Sequence, residues 1–283
     1  MDLTSPKTIK TLSAEFGFTF SKGLGQNFLT DASVLEQIVE AAEPAEGVLE
    51  VGPGFGVLTY ALAQASEKVV SIEIDKRLLP VLEYTLHEFD NVKIVQDDVL
   101  KMDLSKLLEQ EFAGRKISIA ANLPYYITTP IVTRLLEADL PLKNIVVMVQ
   151  KEVAERFCAG AGTKEYGAVS LLCRYYTEPS IVTVVPASRF FPAPKVDSAV
   201  VKFAMLDKPR ITVQNEKLFF RVVKASFAQR RKTLLNCLSN CFGADKARIS
   251  AMLTDIGIDP GIRGEKLRIE EFGRIADGME NIS

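Results

Sequence analysis

A short apolar run, Gly47-Val48-Leu49-Glu50-Val51, passes directly into Gly52-Pro53-Gly54-Phe55-Gly56, and helical periodicity follows over residues 57–66. A strand that turns through glycines into a helix is the opening move of a wound sheet, because the turn brings backbone close to whatever lies at the strand's carboxyl end. The alternation then continues. Residues 34–42 have helical spacing behind a Thr30 or Asp31 cap and are stopped by Pro44; strands are expected at 68–74, 92–96, 116–121 and 144–150, and helices at 78–89, 130–138 and 151–159. Strands and helices taking turns in this way predict an α/β fold with a parallel sheet covered on both faces.

Two β-rich runs, 180–186 and 196–203, flank Arg189-Phe190-Phe191-Pro192-Ala193-Pro194-Lys195. Past Asp207-Lys208-Pro209 the strands cease, and 218–238, 246–256 and 269–279 read as helices. The expected division is therefore an α/β domain over 1–206, with an arm over about 1–30, and a small all-helical domain over 207–283. A chain of 283 residues with 47% hydrophobic and 25% charged residues is long enough for both. Apolar runs such as Ile145-Val146-Val147-Met148-Val149 are far short of the roughly 20 residues that span a bilayer. The first twenty residues show no targeting pattern, so a cytoplasmic protein without membrane contact is expected. Four cysteines and one histidine, His87, supply neither a disulfide scaffold nor a zinc ligand set, so no metal is expected.

The glycine loop raises the question of its ligand. A dinucleotide loop needs G-x-G-x-x-G, but position 57 is Val and the spacing is G-x-G-x-G, which fits S-adenosylmethionine better than NAD. Glu73 ends the second strand, where a carboxylate can accept both hydrogens of a ribose diol. Asp98 follows the third, where it can accept from an adenine amine. Either acid alone would be ordinary surface chemistry; together beside the glycine loop they make a nucleoside crevice. Asn122-Leu123-Pro124-Tyr125 leaves the fourth strand at the same edge. An adenine amine is a poor nucleophile because its lone pair is delocalised. An asparagine oxygen and a carbonyl held outward by the following proline can accept its two hydrogens and aim the lone pair, while Tyr125 offers a face for an extruded base.

Charge is uneven along the chain. Residues 201–283 hold 15 Lys+Arg and 10 Asp+Glu, a net of +5, against −7 for residues 1–200. Lys217, Arg221 and Lys224 share one face of a helix that Arg230-Arg231-Lys232 is expected to continue, and Lys22 adds a further cation near the N-terminus. These are candidate contacts to RNA phosphates.

Taken in order, Gly25-Gln26-Asn27-Phe28-Leu29, Glu50-Val51-Gly52-Pro53-Gly54, Glu73-Ile74-Asp75, Asn122-Leu123-Pro124-Tyr125 and Pro192-Ala193-Pro194-Lys195-Val196-Asp197-Ser198-Ala199-Val200 span nearly the whole chain. With them the sequence resembles the ribosomal RNA adenine dimethyltransferases, most closely the bacterial small-subunit enzymes. The resemblance implies a Rossmann-like class I methyltransferase fold. It implies that Asn27, Leu29, Gly52, Gly54, Glu73, Asp98 and Asn122 bind S-adenosylmethionine, and that Phe190 or Phe191 faces Tyr125 across the target base. It further implies dimethylation of two adjacent adenines in the 3′ hairpin of 16S rRNA, with an immature 30S subunit as the expected partner. The sequence is silent on oligomeric state, so a monomer is the default expectation, and a sulfonium donor is already activated, so no metal is needed. Tyr126 stands where some relatives carry a polar residue. An enzyme acting on large-subunit RNA would share these motifs; an assembly factor that only binds would not need the intact Asn122-Leu123-Pro124-Tyr125, and an NAD dehydrogenase fits least.

Overall fold

The computed structural model describes residues 1–19, 27–280 and 282. Its chain divides into two compact units, Met1–Ala154 with Glu178–Met205, and Glu155–Thr177 with Leu206–Ser283.

The first unit is built around a seven-stranded sheet. Helix α1 (Pro6–Glu15) starts with a proline in its first turn, where a missing N–H costs nothing. The short strand β1 (Phe28–Leu29) leads into α2 (Ala32–Ala42), capped by Asp31, whose carboxylate accepts from the Ser33 N–H. Then follow β2 (Val48–Val51), α3 (Val57–Ala65), β3 (Val69–Glu73), α4 (Leu79–Leu86), β4 (Val92–Gln96), α5 (Leu104–Phe112), β5 (Ile117–Asn122), α6 (Thr128–Glu137), β6 (Leu142–Gln150) and α7 (Lys151–Cys158). After α8 (Ala168–Tyr176), which belongs to the second unit, come β7 (Thr177–Val185), β8 (Phe190–Phe191) and β9 (Ser198–Met205). The sheet order is β4-β3-β2-β5-β6-β9-β7. Strands β2 to β6 pair in parallel, whereas β9 runs antiparallel to β6, with Val147 opposite Val201. The expected all-parallel sheet is thus a mixed one, because the last two strands are joined by a β8-bearing loop rather than by a crossover helix.

Strands β2, β3 and β5 are buried nearly along their whole lengths, as covering both faces requires. Leu3, Ile9, Leu12 and Phe18 from the first nineteen residues join the same core as Phe28, Phe55 and Leu62. Sequence periodicity alone did not announce α1, α5 or α8.

The second unit adds α9 (Glu216–Phe227), α10 (Leu234–Phe242), α11 (Lys246–Asp255) and α12 (Ile269–Glu280). The single helix expected over 218–238 is two. Helix α9 ends at Phe227, Thr233 caps α10 by accepting from the Asn236 N–H, and the Leu234 and Leu235 N–H groups donate to Ile262 and Pro260. Three consecutive cations in one helical turn repel, and the turn between the helices lets Arg230, Arg231 and Lys232 spread. The unit's core is apolar and aromatic, centred on Phe219, Leu238, Leu253, Phe272 and Met279. All four cysteines are free; Cys173 and Cys237 are buried and Cys241 is exposed.

Candidate active site

Strand order decides what meets at the sheet's edge. From β2 the chain winds outward to β3 and β4, then returns to β5 on the other side, which leaves a crevice where the winding reverses. Val51 stands opposite Ile72 and Ala121, so Gly52, Glu73 and Asn122 emerge side by side at the carboxyl ends, with Asp97 and Asp98 following β4. A cavity of about 1160 Å³, its open mouth included, lies over this edge. Among its walls are Asn27, Leu29, Gly52, Gly54, Glu73, Asp98 and Asn122 through Tyr126.

Gly52 and Gly54 both have positive φ, +73° and +60°. A Cβ on Gly54 would come within 2.8 Å of the Phe28 ring, whereas one on Gly52 would meet nothing within 4 Å. Gly54 is therefore needed for packing, and Gly52 leaves its space to the cavity.

Glu73 is only 4% exposed, and its two oxygens accept from the backbone N–H groups of Gly54 (3.3 Å) and Asp75 (2.8 Å). Burial raises its pKa above the ordinary carboxylate value, against the pull of those N–H donors. A carboxylate has about four acceptor sites, so these donors leave part of its accepting capacity open. Beneath it Glu50, 1% exposed, accepts from Thr59 Oγ1 at 2.6 Å and Ser71 Oγ at 2.7 Å. Burial lifts Glu50 to about 7, and the nearby Glu73 charge adds to the lift. Asp98 behaves oppositely: the Leu100 N–H and then Lys101, 3.2 Å away, hold its carboxyl below the usual range.

At the end of β5, Asn122 donates from Nδ2 to the Asn27 carbonyl at 3.1 Å. That bond fixes the amide and leaves Oδ1 as an acceptor without a donor among the described residues. The Leu123 N–H is taken by the Met148 carbonyl, while the Pro124 carbonyl accepts from the Ile127 N–H and Thr128 Oγ1. The Leu123 carbonyl, followed by a residue with no N–H, receives no hydrogen bond from the described residues. Two acceptors therefore stand unfilled at one edge. The Tyr125 hydroxyl shares a 2.7 Å hydrogen bond with Ser198 Oγ, which anchors the half-buried ring.

The two phenylalanines differ. Strand β8 pairs antiparallel with β1, Phe28 opposite Phe191 and Leu29 opposite Phe190, and this ribbon draws the Asn27-Phe28-Leu29 segment to the cavity. Phe190 is 4% exposed and belongs to the core, whereas Phe191 keeps ring surface and has Lys10 Nζ 5.1 Å from its centroid. Neither lines the cavity itself. Lys22, Gly25 and Gln26 lie outside the described residues.

Sequence reasoning gave no individual role to Ser198, which holds Tyr125, or to Ile74 and Val99, apolar walls of the cavity. Ile74, 55% exposed directly after Glu73, carried the one readable signal: an apolar side chain where the strand's own alternation turns it outward.

In the second unit, Lys217, Arg221 and Lys224 are exposed along α9. Arg221 lies over the Phe242 ring at 4.2 Å, and Arg230 donates to the carbonyls of Lys164 (2.9 Å) and Tyr166 (2.8 Å). Contrary to expectation, Arg230, Arg231 and Lys232 do not continue the α9 face, since they occupy the turn after it. Among the described residues, no group of three or more His, Cys, Asp and Glu is placed to hold a metal, and no helix is long and apolar enough to cross a membrane.

Residues 17–281 match the family described as ribosomal RNA adenine dimethylase. The chain is similar to a ribosomal RNA small subunit methyltransferase A of Alkaliphilus oremlandii, 47% identical over 98% of each chain. A protein of the same name from Bacillus cytotoxicus is 49% identical over 98% of this chain and 97% of its own. Among solved structures, a dimethyladenosine transferase from Plasmodium falciparum shares the fold, with a TM-score of 0.75 at 24% identity over 90% of this chain and 98% of that one. The 23S rRNA methyltransferase ErmE superposes with a TM-score of 0.68 at 26% identity, over 89% of this chain and 99% of that one.

Proposed function

The chain belongs to the ribosomal RNA adenine dimethylase family, and from that premise we propose that it dimethylates the 6-amino groups of two adjacent adenines in the 3′-terminal hairpin loop of 16S rRNA. It acts as a cytoplasmic monomer on an immature 30S subunit. The observation that carries this reading is the pair of unfilled acceptors, Asn122 Oδ1 and the Leu123 carbonyl, on residues that line an acid-bearing crevice.

The crevice suits S-adenosylmethionine on this chain's own chemistry. Glu73 keeps acceptor sites for a ribose diol, Gly52 leaves room for close approach, and Asp98 is held ionised to accept from the adenine amine. Asn27 and Leu29 close one side, and Ile74 and Val99 give the flat apolar contact that a purine needs. When bound, S-adenosylmethionine supplies a methyl group already activated on a sulfonium. The protein's part is then positioning.

Asn122 and Leu123 accept the two hydrogens of the target amine and draw its nitrogen toward tetrahedral geometry, with the lone pair aimed into the crevice. With S-adenosylmethionine held by Gly52, Glu73 and Asp98, the aimed lone pair would accept its methyl group, the sulfur would leave with the C–S bonding pair, and the nitrogen would release a proton to water. Tyr125, anchored by Ser198, stacks on the extruded base, and Phe191, half-buried where Phe190 is buried, is the phenylalanine that faces it. Phosphates meet Lys217, Lys224, Arg231 and Lys232, which carry no ion-pair partner among the described residues, while Arg221 and Arg230 are partly engaged by the protein.

The test is methyl transfer from labelled S-adenosylmethionine to 30S particles lacking adenine dimethylation, comparing the intact chain with Asn122→Ala. Dimethyladenosine recovered from the 3′ hairpin is the expected product, reduced about 10²- to 10³-fold by the substitution. The likeness to ErmE favours large-subunit RNA as the second reading, so 50S particles run alongside; label entering only these would replace the small-subunit assignment.

A further inference from the structure

Tyr126 is 57% exposed, yet it lines the same cavity as its neighbour Tyr125. Tyr125 is half-buried and tied to Ser198 through its hydroxyl. Tyr126 has neither a ring partner nor a hydrogen bond from its hydroxyl among the described residues. The other strongly exposed tyrosine, Tyr84, packs near Phe16 at 5.6 Å and His87 at 6.5 Å, so a partnerless exposed ring is particular to position 126. The backbone beneath it is fixed. Ile127 N–H closes a turn onto the Pro124 carbonyl at 3.2 Å, Thr128 Oγ1 adds a second bond to the same oxygen, and Ile131 N–H to the Ile127 carbonyl starts α6. The ring is thus held at the rim of the crevice by a rigid turn and kept uncovered.

We propose that Tyr126 is the platform for the nucleotide next to the one being methylated. The inference rests on the reading of the crevice as an adenine N6-methyl transfer site. A base drawn out onto Tyr125 leaves its neighbour without a stacking partner on that side, and an aromatic face at the rim replaces the lost contact. Consecutive residues lie about 3.8 Å apart, so adjacent rings on one turn can serve adjacent nucleotides. With two neighbouring adenines as substrate, the nucleotide on Tyr126 is the other target. Tyr126 therefore parks one adenine while its neighbour reacts, and keeps the strand in register for the second. The face of the ring does this, not the hydroxyl.

The experiment compares wild type, Tyr126→Phe and Tyr126→Ala on undimethylated 30S particles. It reads KM and kcat for the particles, the affinity for S-adenosylmethionine, and the fraction of RNA carrying methyl groups on both adenines rather than one. Tyr126→Ala is expected to raise KM for the particles about tenfold and to accumulate RNA modified at a single adenine, with donor affinity unchanged. Tyr126→Phe should match wild type. The proposal is overturned if Tyr126→Ala matches wild type in both KM and product distribution, or if Tyr126→Phe is as impaired as Tyr126→Ala. Donor binding by wild type without transfer to 30S or 50S particles would instead overturn the methyl-transfer reading beneath it.

Discussion

The two units bury different things. In the first, carboxylates sit inside: Glu50, Glu73 and Asp75 are all buried, each satisfied by hydroxyl or backbone donors or by Arg77. In the second, the buried polar groups among the described residues are hydroxyls, such as Ser170 and Ser226 bonded to carbonyls, and no charged side chain is buried in its aromatic core. A buried carboxylate costs stability unless it is compensated, and it is kept where a ligand needs it. A surface cation costs little and acts on a polyanion through number and placement. The first unit thus trades stability for a site, while the second is held by packing and keeps its charge on the surface, where the proposed function would use it.

That contrast can be broken in stages. Phe272→Ala empties the centre of the second unit's core, next to Phe227, and should destabilise that unit by about 3–5 kcal/mol. Differential scanning calorimetry should show the loss while S-adenosylmethionine affinity is retained; loss of donor binding as well would mean that the two units do not divide the work.

Glu50→Gln probes the opposite case. The Glu50 pKa in the fold is about 7 against 4.5 for the ordinary group, so the folded state holds its proton more tightly than the unfolded chain. That advantage is complete below about pH 4.5 and disappears as pH climbs through 7. The amide, neutral throughout, should match wild type at about pH 4 and exceed it at pH 8 by on the order of 1–3 kcal/mol in urea unfolding. A constant gap across pH would place the effect in the Thr59 and Ser71 hydrogen bonds instead.

Removing Lys217 and Lys224 together as glutamines should weaken RNA binding by about 1 kcal/mol and lower the log–log salt slope by about one to two. The donor should bind as before, and filter binding at several salt concentrations checks both. The smallest effect belongs to Glu43, which Lys143 and Lys202 pull down to about 2 on the exposed side of the first unit. Because that carboxylate is half in water, Glu43→Gln should cost less than about 0.5 kcal/mol at pH 7. The cost should disappear as pH falls from 4.5 toward 2, and thermal melts at pH 3 and pH 7 would show it.

Much of the first unit was legible because its information is local. The glycine loop, the acid some twenty residues on and the strand ending at Asn122 each sit in short windows, and parallel winding alone brings them to one edge. What escaped is contact at a distance. No local pattern says that Ser198 will anchor Tyr125, that Phe190 rather than Phe191 will be buried, or that β9 will insert antiparallel beside β6. In the second unit the helical stretches after residue 206 were readable from periodicity, but the break after Phe227 was not, since the turn is held by Ile262 and Pro260 from far along the chain. Arg230's engagement with Lys164 and Tyr166 escaped for the same reason.

The ribbon between Phe28–Leu29 and Phe190–Phe191 also imposes an order on synthesis. Thr30 bonds to Arg189, 159 positions later, so the segment that brings the Asn27 carbonyl to Asn122 lacks its partner strand until that part of the chain has been made. Closing so long a loop is slow. A nascent chain can pair β2 through β6 early, yet its crevice stays without one wall until the first unit is almost complete.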